Sequence, residues 1–248
     1  MNVKNIKSFI EFYRFLDITN CISIKPRNSK NSLNDNDLKN ELNQTRLKKS
    51  TSKMEKLDFL EKVRNEAINL DCDLKDIATN LVFSDGNCNS KIMLLGEAPG
   101  AREDIEGKPF VGEAGQLLDK MLKFIDLTRD NFYITNMVFW RPPGNRTPNE
   151  SEISLCLPLT IKHIKIIKPK LLIFVGSIAA KTLLKSKDGI TKLRGREHFY
   201  IDEKNSLRIP ARAIFHPAYL LRNPIEKKRT WNDLLEIDQF IKKKKILV

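Results

Sequence analysis

Four short apolar runs after residue 90 predict buried β-strands. They span residues 92–95, 132–138, 171–175 and 211–215. Strands covered on both faces of a parallel sheet give continuous apolar runs of this kind, whereas half-exposed strands alternate apolar and polar residues. We therefore expect these four runs to form the centre of one sheet.

Helical periodicity fills the intervals between the first three runs. Apolar residues recur every three or four positions over residues 113–125 and 153–167, and again from Leu57 towards Leu70 and over residues 226–241. Helices that alternate with buried strands predict an α/β fold. The expected architecture is a three-layer αβα sandwich with a central, mainly parallel four-stranded sheet.

Two local signals refine this arrangement. Thr147, Pro148 and Glu150 match the N-cap, first position and closing glutamate of a capping box, which predicts that a helix begins there. Residues 198–209 alternate weakly around Asn205 and predict a small hairpin.

The composition of the chain changes near residue 52. All ten glycines lie between Gly86 and Gly195, and residues 1–50 contain none. Residues 6–16 carry apolar side chains at helical spacing and predict a short helix, whereas residues 26–50 are polar and predict a linker. We expect an N-terminal extension over residues 1–52 and one folded domain over residues 53–248.

The net charge is compatible with a polyanionic partner. The chain has 44 Lys and Arg against 31 Asp and Glu, a formal net charge of +13. Such an excess attracts nucleic acid, but a lysine-rich solvated surface explains it equally well. The four cysteines are too few for a disulfide framework, and we expect neither a membrane span nor a signal peptide. A cytoplasmic monomer is the expectation.

A glycine-rich loop follows the first predicted strand. Residues 96–100 read Gly-Glu-Ala-Pro-Gly, and residues 107–112 read Gly-Lys-Pro-Phe-Val-Gly. Such a loop lets the backbone approach a ligand at the carboxyl end of a strand, where open α/β folds place their sites. Its spacing matches neither the dinucleotide-binding fingerprint nor the P-loop. The pattern therefore predicts a ligand site or a plain tight turn, without identifying the ligand.

Two other strand ends carry polar side chains. Asn136 ends the strand expected within the second run, and an amide can accept from uracil N3–H and donate to O4, whereas cytosine presents the opposite pattern. His216 follows the fourth run, beside a proline and a short apolar and basic segment that suits contact with DNA. Singly, an asparagine is more often a turn residue and a histidine more often structural. Asn136 and His216 become candidate site residues only in combination with the glycine-rich loop.

At these segments together the sequence resembles the family-4 uracil-DNA glycosylases, over about residues 72–235. Four family motifs occur in order: Gly-Glu-(Ala/Gly)-Pro-Gly at 96–100, Gly-x-Pro-Phe-Val-Gly at 107–112, Tyr-Ile-Thr-Asn at 133–136 and His-Pro-Ala-Tyr-Leu-Leu-Arg at 216–222. The resemblance implies an enzyme that flips uracil out of DNA and hydrolyses its N-glycosidic bond. It would leave an abasic site for base excision repair.

The resemblance also implies which residues form the site. Phe110 would stack on uracil, Asn136 would bind its edge, and His216 would contact O2 and stabilise the negative charge that develops there. Glu103 would crowd the C5 position and exclude the thymine methyl. The pocket backbone would come from Gly96, Glu97, Ala98 and Gly100. No carboxylate is assigned to activate water, because Ala98 occupies the position where another branch of the superfamily has a catalytic Asp.

DNA contacts follow from the same resemblance. Arg141 and Arg146 would hold phosphates. Leu220, Leu221 and Arg222 would enter the duplex where the base has left, offsetting part of the cost of unstacking.

The family's [4Fe-4S] cluster is only half matched. Four cysteines hold it in the family, and here Cys72 and Cys156 match two of their positions while Asn69 and Trp140 occupy the other two. We favour a protein without a cofactor, in which Trp140 packs into the vacated space. Retention of the cluster is the alternative.

Three other interpretations concern function. A related branch captures uracil covalently, but the segment between Trp140 and Pro148 is too short for that branch's basic insertion. The same fold is also compatible with a glycosylase for another deaminated or mismatched base, or with a catalytically silent DNA-binding protein. In each case the partner is DNA.

Overall fold

The computed structural model describes residues 39–202 and 207–247, with side chains from residue 54 onwards. Lys56–Val248 form one compact unit. The predicted helix over residues 6–16 lies outside the described residues, and the division at residue 52 remains a prediction. Within the described part, no helix is long and apolar enough to cross a membrane.

Six strands form one sheet in the order β1-β3-β2-β4-β6-β5. Their bounds are β1 Asp85–Gly86, β2 Ile92–Gly96, β3 Tyr133–Asn136, β4 Leu171–Val175, β5 His198–Ile201 and β6 Arg208–Ile214. The central four, β3, β2, β4 and β6, are parallel, as the apolar runs predicted. The edge strands β1 and β5 are antiparallel additions, and β5 with β6 forms the predicted hairpin.

Nine helices connect or flank these strands in the described part of the chain. They are α1 Lys39–Ile68, α2 Asp73–Ile77, α3 Ala101–Glu106, α4 Glu113–Lys123, α5 Glu150–Ile167, α6 Ser177–Leu184, α7 Ile190–Leu193, α8 Pro217–Arg222 and α9 Lys227–Lys243. Short 3₁₀ turns occur at Pro143–Asn145 and Pro224–Glu226.

Both faces of the sheet are covered. Met93 and Leu95 of β2 belong to one hydrophobic cluster, together with side chains from α1, α5 and α6. Leu94 points to the opposite face because successive side chains alternate, and it is also fully buried. Helices α4 and α9 contact each other, and α9 contacts β6. The predicted three-layer α/β sandwich is therefore confirmed.

Two local predictions are wrong. The capping box forms at Asn149 rather than Thr147: the Asn149 side chain accepts from the Glu152 N–H, and the Glu152 carboxylate accepts from the Asn149 N–H, each at 2.8 Å. Arg146 also holds that carboxylate, which favours the later start of α5. In addition, residues 39–50 are helical rather than a linker, because they contain no glycine or proline and several good helix formers.

Candidate active site

Three strand ends reach the same edge of the sheet and open a cavity there. β2, β3 and β6 belong to the parallel centre, so the segments that carry Gly96, Asn136 and His216 emerge together. The cavity has a volume of about 410 Å³. It is lined by seven of the eight residues that the resemblance assigned to the base pocket, all but Gly96: Glu97, Ala98, Gly100, Glu103, Phe110, Asn136 and His216.

Asn136 supplies a buried acceptor. Its side chain is 1% exposed, and its Oδ1 has no hydrogen-bond partner among the described residues. Gly96 leaves room for this amide, because a β-carbon at residue 96 would overlap both Oδ1 and the Phe110 ring. A buried, unpaired polar atom costs about 1–3 kcal/mol. Such an atom beside a cavity is best explained by an N–H donor that a ligand brings.

Phe110 forms an aromatic wall beside this acceptor. Its φ is +58°, an uncommon value for a large side chain, and its ring is buried. The ring centroid lies 5.9 Å from that of His216, with the two planes tilted by 33°. The cavity is therefore suited to a flat aromatic ligand that stacks on Phe110 and presents its polar edge to the other two side chains.

His216 precedes α8, and a backbone contact defines its tautomer. Its Nδ1 accepts a hydrogen bond from the Ala218 N–H at 3.2 Å, so the proton of the neutral ring is assigned to Nε2. Burial, reinforced by the positive charge of Arg222, lowers the pKa of His216 to about 4. At neutral pH this side chain is therefore an uncharged Nε2–H donor.

Two carboxylates line the cavity, and they make different hydrogen bonds. Glu103 Oε1 accepts from the backbone N–H groups of Val111 and Gly112 at 2.9 and 2.8 Å, so this side chain holds the loop that follows Phe110. Its predicted contact with the uracil C5 position stays a prediction. Burial raises the pKa of Glu97, and a side-chain hydrogen bond from Thr147 partly opposes that rise. Of the two carboxylates, only Glu103 holds the loop that follows Phe110.

Comparisons with known proteins agree with this arrangement. A sequence profile of the Uracil DNA glycosylase superfamily matches residues 83–235. A type-4 uracil-DNA glycosylase of Sulfurisphaera tokodaii is 41% identical over 189 residues, which cover 73% of this chain and 84% of that protein. The type-4 uracil-DNA glycosylase of Thermotoga maritima is 38% identical over 175 residues, 69% of this chain and 88% of that protein. The chain belongs to the uracil DNA glycosylase superfamily.

The short helix α8 contains the residues that were expected to enter DNA. Leu220 is fully buried, so the expectation that it enters the duplex is wrong: one face of α8 packs on the protein. Leu221 is 41% exposed, and Arg222 is exposed and lines the cavity. These two side chains are the ones that can reach a bound strand.

The two arginines after β3 have different surroundings. Arg146 forms a two-bond ion pair with Glu152, with N–O distances of 2.9 and 2.6 Å, and it lines the cavity. Arg141 donates from Nε to the Asn145 side chain at 2.8 Å and does not line the cavity. A phosphate would therefore have to share Arg146 with a carboxylate, which weakens its predicted role, while Arg141 keeps other donors for DNA.

The positions that hold the cluster in the family-4 glycosylases do not form a four-thiolate set here. Cys72, Cys156 and Trp140 are buried in one hydrophobic cluster, whereas Asn69 is exposed. Over residues 54–202 and 207–247, no three His, Cys, Asp or Glu side chains group to hold a metal ion. A [4Fe-4S] cluster needs four ligands, so the residues present do not fit it.

Some lining residues were missed by sequence reasoning. Thr147 and Tyr219 line the cavity, yet Thr147 was interpreted as a helix cap and Tyr219 was noted only as part of the motif at residues 216–222. The only available signal was their place in the loops that follow Asn136 and His216.

Proposed function

We propose that this protein is a uracil-DNA glycosylase that flips uracil out of DNA and hydrolyses its bond to deoxyribose. The observation that carries the proposal is the buried, unpaired Oδ1 of Asn136, in a cavity that Phe110 and His216 also line. The activity named for the type-4 relatives supports it. The product is an abasic site for base excision repair.

Base choice depends on Asn136. Its Oδ1 accepts from uracil N3–H, and its amide N–H donates to O4. Cytosine has an acceptor at N3 and a donor at the exocyclic amine, so both contacts would become repulsive. Phe110 stacks on the ring, which provides binding energy without discriminating between the two pyrimidines.

Bond cleavage depends on His216. As the glycosidic bond breaks, negative charge develops near uracil O2 while the sugar becomes oxocarbenium-like. The neutral Nε2–H of His216 donates to O2 and stabilises the leaving anion, and the DNA phosphates stabilise the cation. Uracil leaves as its anion and takes a proton afterwards, while water adds at C1′ of the sugar and loses its own proton.

We assign Glu97 as the side chain that accepts the proton of that water. It lines the cavity, its pKa is raised by burial, and Glu103 is engaged by the loop. A carboxylate of raised pKa takes a proton more readily than an ordinary surface one. Glu97→Gln would lower single-turnover uracil release without weakening DNA binding. Wild-type release by this variant would contradict the assignment.

One assay tests the function. The protein is incubated with matched oligonucleotides that contain uracil, a G·T mismatch or hypoxanthine, and abasic sites are detected by alkaline cleavage. We expect cleavage at uracil alone, with Asn136→Ala as the inactive control. Cleavage only at another lesion would favour the alternative substrates. Binding without cleavage of any substrate would favour a silent DNA-binding protein.

We also propose that the domain folds without an iron-sulfur cluster. Trp140 packs with Cys72 and Cys156 where the family-4 cysteines would meet, and Asn69 is exposed. Iron and acid-labile sulfide should be far below one per chain after anaerobic purification. The double variant Asn69→Cys, Trp140→Cys restores the four-cysteine pattern and is the matched control that should gain both. Stoichiometric iron in the wild-type protein would overturn the proposal.

A further inference from the structure

Arg129 donates all five of its guanidinium N–H groups, although it lies outside the cavity. Nε and Nη2 contact the Asp119 carboxylate at 3.0 and 3.2 Å, and Nη1 contacts Asp85 at 3.1 Å. The remaining two donors reach backbone oxygens: that of Pro109 at 3.1 Å and that of Phe110 at 2.7 Å. Arginine has five such donors, so its capacity is fully used.

The Phe110 backbone, which Arg129 binds, has an unfavourable conformation that requires support from its surroundings. Phe110 has a positive φ of +58°, a conformation that costs energy for a bulky residue unless its surroundings impose it. Gly115 of α4 lies directly against this backbone, since a β-carbon there would overlap the Phe110 carbonyl. Glu103 holds the next two N–H groups. Arg129 binds the backbone carbonyl oxygens of the same loop, at Pro109 and Phe110.

The two carboxylates connect this contact to the rest of the site. Asp119 lies on α4, and Asp85 lies on β1, where it is paired with Ile134 of the strand that ends in Asn136. Arg129 therefore joins the loop of Phe110 to the strand of Asn136. Its ion pairs are partly buried, with 24% of the Arg129 side chain accessible.

We propose that Arg129 is a positioning residue for uracil excision, which fixes the Phe110 backbone so that the ring lies correctly beside Asn136 and His216. The inference rests on the proposed glycosylase function. Arg129 touches no reacting atom and acts only through Phe110. Its loss allows the loop to relax towards an ordinary φ and moves the stacking wall out of place.

The primary test is Arg129→Gln, assayed by single-turnover release from a uracil oligonucleotide. A misplaced binding wall can reduce the rate on the order of 10²-fold, and we expect a loss between tenfold and that limit, with unchanged affinity for uracil-free DNA. Arg212→Gln is the matched control. Arg212 is also a partly buried arginine that pairs with two carboxylates, Glu197 and Glu236, and we expect it to keep the wild-type rate.

A double-mutant cycle separates positioning from general damage. In a Phe110→Ala background the ring is absent, so Arg129→Gln should cause no more than a further twofold loss. An equal loss in both backgrounds would overturn the proposal, as would a wild-type rate for Arg129→Gln alone.

Arg129→Lys keeps the inference testable if the glutamine variant fails to fold. Lysine retains the charge but is a single point donor, which cannot reach two carbonyls and two carboxylates together. We expect a melting temperature within a few degrees of the wild type and at least a fivefold loss of rate, again only when Phe110 is present. If the wild-type enzyme itself releases no uracil, the proposed function fails; if it does and Arg129→Lys matches it, only this inference fails.

Discussion

Gly96 and Asn136 are paired across the parallel strands β2 and β3, and the missing β-carbon of the first makes room for the amide oxygen of the second. The space would be lost with any other residue at position 96, because its β-carbon would overlap Asn136 Oδ1 and the Phe110 ring. The buried acceptor thus depends on a glycine in the neighbouring strand. This relationship links the glycine-rich loop to base recognition.

Gly96→Ala should therefore remove activity while leaving most of the fold intact. The added methyl group displaces both the Asn136 amide and the Phe110 ring. A misplacement of about 1 Å can cost on the order of 10²-fold in rate. Single-turnover uracil release measures the loss. Gly189→Ala is the control, because a β-carbon at residue 189 meets only the Thr191 hydroxyl at 3.9 Å. Comparable losses in the two variants would contradict the prediction.

Asn136→Asp tests the edge contacts without changing shape. A carboxylate keeps the acceptor for uracil N3–H but replaces the N–H donor with a second acceptor that repels O4. One good bidentate contact provides about 1–3 kcal/mol of discrimination, or roughly fivefold to 150-fold. We expect a loss of uracil release in that range, measured beside a cytosine-containing oligonucleotide. A variant as fast as the wild type on uracil would show that Asn136 does not bind the base edge.

Much of this site was predictable because its chemistry follows buried strands. Apolar runs identify the central strands, and the polar residue that follows each run must lie at the carboxyl edge of the sheet. Asn136 and His216 were found in that way, and Gly96 was found as the first residue of the glycine-rich loop. The position of Phe110 came from the family motif alone, since no local pattern indicates a positive φ.

Other features depend on tertiary contacts that periodicity does not contain. Leu220 and Leu221 are adjacent and chemically equal, and only packing decides that the first is buried. β1 has two residues, which is too short for any strand pattern. Arg129 was missed because two of its partners are backbone carbonyls, which every residue has.

The pH profile should show that His216 acts in its neutral form. Because burial lowers its pKa to about 4, the ring stays uncharged from about pH 5.5 upwards, and protonation would disrupt the hydrogen bond that Nδ1 accepts from Ala218. We expect His216→Ala to lower the single-turnover rate by a constant factor between pH 5.5 and 8. An inflection near pH 6.5 in the wild type that disappears in His216→Ala would contradict this assignment.

Leu221 and Leu220 should give opposite phenotypes when each is replaced by alanine. Leu221→Ala removes an exposed side chain, so it should slow excision from double-stranded DNA and leave single-stranded excision and thermal stability nearly unchanged. Leu220→Ala should destabilise the fold by about 2–5 kcal/mol, because it leaves a cavity in the core. Urea unfolding and the ratio of double- to single-stranded rates measure the two effects. The assignment of Leu221 would fail if its variant slowed both substrates equally.

His163 should make the fold sensitive to acid. It is fully buried, its Nδ1 shares a 2.8 Å hydrogen bond with the Tyr133 hydroxyl, and burial lowers its pKa to about 3. The unfolded chain binds a proton near pH 6.5 while the folded one does not. This contribution is therefore present above pH 6.5 and is lost as the pH falls towards 3.

From pH 7 to pH 5 the loss due to His163 amounts to about 2 kcal/mol. His216 acts in the same direction, so a difference between variants is needed to isolate His163. Tyr133→Phe alone should keep the full acid sensitivity. The double variant Tyr133→Phe, His163→Phe should lose about 2 kcal/mol less over this interval, measured by urea unfolding at both pH values. Identical losses in the two variants would mean that His163 does not remain neutral in the folded protein.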